Sequence, residues 1–231
     1  MLKNLASQCA VCHSWPARRI CTHCEARFAK PMSRCRTCAL ALVTGLDQCG
    51  ACVRQPPPLD ACFAAVTYAY PWPALIADYK FGQDPAWAGV FAKMLLNTPE
   101  VADSLNALQR GDWLLPIPLS SARLETRGFN QAWELVKAIG NHGARLSQAD
   151  ARLLLRIKNT PPQSQLKREA RLRNVKGAFV VDPLRVPELK GRRVLLVDDV
   201  MTSGASLFAA AQALREAGAA VVTAVVIART E

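Results

Sequence analysis

The chain has 231 residues, of which 29 are Lys or Arg and 18 are Asp or Glu, giving a formal net charge of +11. With 51% hydrophobic and 20% charged residues it has a globular balance, which excludes a wholly disordered or fibrous protein. No stretch reaches the roughly 20 apolar residues of a membrane helix; the longest candidate, Ala217–Ala228, has 12. No apolar signal core precedes the first cysteines, so the expectation is a soluble cytoplasmic protein without membrane insertion. The length suits one domain of ordinary size plus a small module.

The module comes first. Eight of nine cysteines form four CxxC pairs: Cys9/Cys12, Cys21/Cys24, Cys35/Cys38 and Cys49/Cys52. A two-residue spacer lets both thiolates of a pair face one ion, and two pairs complete a tetrahedral site, so eight thiolates predict two structural Zn²⁺ ions. Consecutive and cross-brace pairings both fit the spacing. A disulfide framework lacks the secretion signal it needs, and a redox CxxC usually occurs once, beside a βαβ pattern. An iron–sulfur cluster is the serious rival, since four thiolates serve it equally well. His13 and His23 lie beside ligand pairs and read as exposed or supporting residues. Cys62, between Ala61 and Phe63, reads as a small buried hydrophobe.

Two filled four-thiolate sites would each carry about −2 and lower the net charge to about +7. Arg18, Arg19, Arg27, Lys30, Arg34 and Arg36 give the module a basic surface suited to nucleic acid or a protein partner, with only Trp15 and Phe28 for base stacking. A stiff Arg54-Gln-Pro-Pro-Pro-Leu59 run then marks a boundary. The expected division is a Cys-rich module over 1–54, a linker over 55–62 and a second domain over 63–231.

Beyond the linker, strand-like and helix-like stretches alternate. Ala64–Tyr70 has β character, while Pro73–Phe81 and Pro85–Leu96 read as helices opened by prolines. Trp113–Ile117 is a short apolar strand, and Asn130–Ile139 shows helical periodicity. Val194–Val197 reads as a buried strand, Ser206–Ala217 as a helix closed by Gly218, and Ala220–Ala228 as another strand. The pattern predicts an α/β fold with a parallel sheet flanked by helices. Between these elements, Arg145–Lys176 carries nine basic residues against two acidic ones. Its helix-breaking centre, Asn159–Gln165, suits a lid closing over a ligand, or a groove lining for a DNA backbone.

The most informative run is Val194-Leu-Leu-Val-Asp-Asp-Val-Met-Thr-Ser-Gly-Ala-Ser206. An apolar strand delivers Asp198 and Asp199 to its carboxyl end, where open α/β sheets bind ligands. The small residues Thr202, Ser203, Gly204, Ala205 and Ser206 can aim N–H groups and hydroxyls at a phosphate on the next helix's N-terminus. Two carboxylates would repel that phosphate; they fit the ligand's hydroxyls, or a Mg²⁺ that they hold. Phosphate at one end and a diol at the other describe a ribose 5-phosphate. No GxxxxGK[ST] loop is present.

Those thirteen residues resemble the 5-phosphoribosyl-1-pyrophosphate (PRPP) signature of type I phosphoribosyltransferases, and nearly the whole chain resembles the ComF, or GntX-like, family. The resemblance is carried by the CxxC pairs, Tyr79-Lys-Phe-Gly82, Leu115-Pro-Ile-Pro-Leu119, Arg127-Gly-Phe-Asn-Gln131, Arg156-Ile-Lys-Asn-Thr160 with Gln163, and Arg173-Asn-Val175. It implies a type I phosphoribosyltransferase fold with an N-terminal zinc module, in a cytoplasmic bacterial protein that handles incoming single-stranded DNA in competence. By that resemblance Asp198 and Asp199 bind the ribose hydroxyls with Mg²⁺, and Thr202–Ser206 bind the 5-phosphate. Leu119, Ser120 and Arg123 line the pyrophosphate loop, with help from Arg127 and Asn130. The implied chemistry is phosphoribosyl transfer to an unidentified acceptor, with Asp198, Asp199 and Arg123 as catalytic residues. The alternative is a non-catalytic PRPP sensor that binds DNA or DNA-uptake proteins. Lys80 reads equally as a structural residue or a ligand contact, and His142 as structural or exposed. A glutamine-dependent amidophosphoribosyltransferase is discounted, because Leu2 rather than cysteine follows Met1.

Overall fold

The structure, a computed structural model, describes residues 7–82, 84–141, 148–158, 175 and 177–231. Its centre is a five-stranded sheet in which every neighbouring pair is parallel. The strands are β1 (Ala61–Thr67), β2 (Trp113–Pro116), β3 (Gln148–Ala149), β6 (Arg193–Met201) and β7 (Val221–Arg229), in the order β1-β7-β6-β2-β3. Arg193 pairs with Val221 and Met201 with Arg229 along β6 and β7, the two longest strands. Both read as nearly unbroken apolar runs because helices cover both faces.

Alternation along the strands divides the core in two. Val194 and Leu196 face one side with Val222, Ala224 and Val226, under α8 (Ala205–Glu216), which contributes Leu207, Ala210, Ala211 and Leu214. Leu195 and Val197 face the other with Val225 and Ile227, under α3 (Trp72–Phe81), α4 (Trp87–Leu96), α5 (Pro99–Asn106) and α7 (Gln131–Gly140). A two-stranded antiparallel ribbon, β4 (Leu154–Arg156) with β5 (Phe179–Val181), packs into the first core through Leu154 and Phe179. The parallel α/β expectation is met.

Three differences have physical causes. The first strand starts at Ala61 rather than Ala64, in register with Thr223 of β7. The long strand continues past Val197 to Met201, because Asp198, Val200 and Met201 stay paired with Val226, Ala228 and Arg229. Helix α6 (Ser121–Arg127) was not anticipated; it buries no residue and leaves no apolar stripe to read. The lid expected within Arg145–Lys176 lies mostly outside the described residues, as does His142.

The cysteine-rich segment packs into both cores rather than beside them. Cys35, Cys38, Cys49 and Cys52 join the first core, and Cys9 and Cys24 the second. The Cys62 N–H donates to the Arg36 carbonyl at 2.7 Å, and the Trp72 indole N–H to the Phe28 carbonyl at 3.1 Å. Segments sharing a core unfold together. The metal-loaded protein should therefore melt in a single calorimetric transition that moves as a whole when Cys38 is changed to Ala. Two separable transitions, one of them untouched by Cys38→Ala, would contradict this packing.

Candidate active site and thiolate metal centres

In a parallel sheet all carboxyl ends share one edge, and the candidate site lies there. Asp199 is buried at 8% exposure, and its Oδ1 lies 2.7 Å from Lys80 Nζ, at the last turn of α3. Lys80 is aimed by its neighbour Tyr79, which is fully buried and donates its hydroxyl to the Gln131 carbonyl at 2.6 Å. Asp198 Oδ1 accepts from the Asp199 N–H at 2.8 Å. Burial, and then the neighbouring Asp199 carboxylate, push Asp198 up to about 7.

The small-residue loop expected over Thr202–Ser206 follows. Gly204 has φ of 80° and stands at the N-cap of α8, where a Cβ would come within 2.5 Å of the Phe208 ring and 2.6 Å of the Met201 methyl. Ala205 and Ser206 form the first turn of α8, so the loop is shorter than expected. The Ala205 N–H donates to Ser203 Oγ at 3.4 Å. A cleft of about 30 Å³ opens among Asp198, Thr202, Gly204, Ala205 and Ser206, at the positive end of a 12-residue helix.

Opposite the acids stands a group of cations. Leu119 and the buried Ser120 lead from β2 into α6, which carries Arg123 and Arg127. The Arg127 guanidinium lies 5.0 Å over the Phe81 ring; burial lowers its affinity for a proton, and the Asp199 and Asp198 charges offset that in part. Arg156 of β4 lies 5.4 Å over Phe179 and feels the Arg123 and Asp198 charges. The structure thus brings Asp198, Asp199, Arg123 and Arg127 together and adds Lys80 and Arg156. Both additions sit in motifs quoted above, but only the fold shows that they reach the acids. Asn130 has a different part: it caps α7 by accepting from the Ala132 N–H at 3.0 Å and donates to the Ile117 carbonyl at 3.1 Å, fixing the end of β2. The oxygen donors of Asp198 and Asp199 suit a hard cation such as Mg²⁺.

The eight paired cysteines form two groups by consecutive pairing, which closes the cross-brace alternative. Cys9, Cys12, Cys21 and Cys24 make one, Cys35, Cys38, Cys49 and Cys52 the other, with sulfurs in each within 4.8 Å of one another. The two are built alike. Each begins with a knuckle whose following residue takes a positive φ, His13 at 60° and Ala39 at 55°. Those residues donate their N–H to the Cys9 and Cys35 carbonyls at 2.9 and 2.7 Å. The remaining pair of each group opens a short helix, α1 (Thr22–Phe28) or α2 (Gly50–Arg54). The Cys12–Cys21 and Cys38–Cys49 sulfur separations are 3.6 and 3.7 Å. A tetrahedral ion with bonds of ~2.3 Å sets edges of ~3.8 Å, so the groups fit single divalent ions. Burial and then the adjoining cysteines push Cys24 up to about 12, so a cation is what would let all four sulfurs ionise. His13 and His23 are exposed and outside both groups, and Cys62 is buried.

Two expectations follow from this geometry. Gly204→Ala should cost about 1–2 kcal/mol through the left-handed backbone alone and displace Phe208, lowering Tm and loosening the loop in amide exchange. Asp198→Asn should stabilise the ligand-free fold. Because burial raises the native Asp198 pKa to about 7, the natural chain loses stability as pH rises from near 4 to about 7 and stays lower above it. The variant's advantage in Tm should be about 2–4 °C, the effect of ~1 kcal/mol at this size, at pH 8 and smaller at pH 5. An equal advantage at both would refute the burial of that charge.

Comparison with known proteins agrees with this architecture. The family model for the phosphoribosyl transferase domain matches residues 134–231, which hold the acid pair and the small-residue loop after it. "DNA utilization protein YhgH" of Salmonella typhimurium is 32% identical over 212 residues, covering 91% of this chain and 90% of that one. "Competence protein F" of Haemophilus influenzae is 30% identical over 200 residues, covering 86% and 85%. "Competence protein ComFC" of Streptococcus pneumoniae is 30% identical over 156 residues, covering 68% and 62%. With a phosphoribosyltransferase-like sheet, two tetrathiolate groups and two relatives matched over 90% and 85% of their length, the chain belongs to the ComF family.

Proposed function

We propose that the chain binds PRPP with Mg²⁺ at the carboxyl edge of the sheet and transfers its phosphoribosyl group to an acceptor in the handling of incoming DNA. The observation that carries this reading is the juxtaposition of Asp198 and Asp199 with a glycine-turned loop at the N-terminus of α8, under the cations Lys80, Arg123, Arg127 and Arg156. The acids accept the ribose hydroxyls and would hold Mg²⁺, which would supply positive charge against the polyanionic ligand. The N–H groups of Gly204, Ala205 and Ser206 take the 5-phosphate. Transfer breaks the bond from C1 to pyrophosphate, which leaves with the electron pair, while the acceptor's nucleophile bonds to C1. Guanidiniums aimed at the leaving oxygens favour the separated charge over the ground state.

The two thiolate groups hold structural zinc in this reading, since each set of sulfurs lies within 4.8 Å and so surrounds one ion, whereas a cube of irons would seat each sulfur on a separate metal. Relatives named for DNA utilization and competence, with the exposed Arg18, Arg27, Lys30 and Arg36 and the exposed Trp15, support contact with single-stranded DNA. Among the described residues no helix is long and apolar enough to cross a membrane.

Calorimetry with PRPP tests the reading. The zinc-loaded protein should bind PRPP in a Mg²⁺-dependent manner, and the Asp198→Asn/Asp199→Asn variant should bind at least tenfold more weakly, a loss of about 1.4 kcal/mol. Binding by the natural protein would justify an acceptor search by pyrophosphate release. An absence of PRPP binding, or equal binding by the variant, would sink the proposal.

A further inference from the structure

Two shielded arginines, Arg229 and Arg34, meet on one knuckle of the second thiolate group. Arg229 ends β7 at 7% exposure. Its Nε donates to the Cys38 carbonyl at 2.8 Å, and one terminal nitrogen to the carbonyls of Thr202 at 2.6 Å and Met201 at 3.2 Å. The same nitrogen donates to the Thr230 hydroxyl at 3.2 Å and the Thr230 carbonyl. One side chain therefore grips a metal knuckle on one side and the phosphate loop on the other. Arg34, half-buried, donates to the Ala39 carbonyl at 3.1 Å, the next residue of that knuckle, and to Thr67 Oγ1 at 3.0 Å. Thr67 is the register partner of Arg229 across β1 and β7, so the two guanidiniums approach adjacent carbonyls of one knuckle.

Among the described residues neither arginine lies within ion-pair distance of a carboxylate. Two shielded like charges need a counterion. Four thiolates around one divalent ion carry a net charge of about −2, which balances the pair. The first thiolate group is joined to the fold elsewhere, through the Phe28 carbonyl and the Arg19–Asp84 ion pair.

We infer that Arg229 is a positioning residue coupling the second thiolate metal site to the phosphate loop. The filled cluster holds both guanidiniums at the knuckle, and Arg229 fixes the Met201 and Thr202 carbonyls so that the following amides face the ligand. Loss of the ion removes the counterion, and the loop loosens. A cavity of about 570 Å³ bounded by Cys38, Leu40, Pro57, Thr202, Phe208 and Arg229 gives both segments room to move. Coupling of binding free energies is reciprocal, so a ligand on the loop must tighten metal binding at the second cluster, and slower metal release is the expected readout. Only this ligand arm rests on the PRPP reading.

The test uses the full chain loaded with zinc. Zinc release to a chromogenic chelator, with and without Mg²⁺–PRPP, and amide exchange by mass spectrometry are followed together. A Cys12→Ser chain isolates the second cluster. Removing that ion should speed exchange at least tenfold over Met201–Leu207 and leave α7 unchanged; Mg²⁺–PRPP should slow release several-fold. Arg229→Met should abolish the slowing, and Arg229→Lys should retain the folded sheet without restoring it, because one ammonium does not span both loops. Release slowed equally in Arg229→Met and the natural protein would overturn the inference. If Arg229→Met does not fold, exchange in the natural chain decides: an unchanged loop after metal loss overturns it. If PRPP binds nowhere, the reading of the site fails, whereas the exchange result still bears on the coupling alone.

Discussion

The parallel direction of the sheet is the constraint on which the rest depends. Because β1, β2, β6 and β7 all run one way, their carboxyl ends meet at one edge. The residues that cannot stay in an apolar core collect there: Asp198, Asp199 and Arg229 from the strands, Lys80 and Arg127 from helices ending beside them. The two-sided apolar cores hold these charges in partial burial, which is why one acid is pushed towards neutrality and the other is paired. Such a site is unfavourable for the empty fold and favourable for a polyanionic, hydroxyl-bearing ligand that satisfies both signs.

The cysteine groups solve a problem that the sheet creates. A parallel sheet needs cover on both faces, and β1 at its edge is partly covered by the two thiolate groups, one contributing to each core. Their shared knuckle-and-helix construction amounts to a structural repeat. The sequence between the pairs shows no such repeat, because only the cysteines and the positive-φ turn need to recur. Neither turn uses glycine; His13 and Ala39 stand where glycine would be easiest.

Much of the fold was legible because its signals were local: the long buried strands, the helix behind the phosphate loop, and the CxxC pairs. What stayed hidden depended on contacts across the chain. Helix α6 buries nothing, so periodicity misses it, yet it carries two of the site's cations. Lys80 lies 119 positions before Asp199, and only the anchoring of Tyr79 to the Gln131 carbonyl shows why the two meet. Arg229 lies one residue past the strand expected over Ala220–Ala228. Its role appears only when the carbonyls of Cys38 and Thr202 are seen on either side of it. Family resemblance supplied the expectation for the site, while the cause of its geometry came from packing.

The most direct test of the central claim is a crystal structure of the zinc-loaded protein with PRPP and Mg²⁺. The account predicts ribose hydroxyls on Asp198 and Asp199, the 5-phosphate on the amides at the start of α8, and pyrophosphate facing Arg123 and Arg127. A ligand bound with its phosphate elsewhere, or an edge that stays empty at saturating PRPP while both metals are in place, would contradict it.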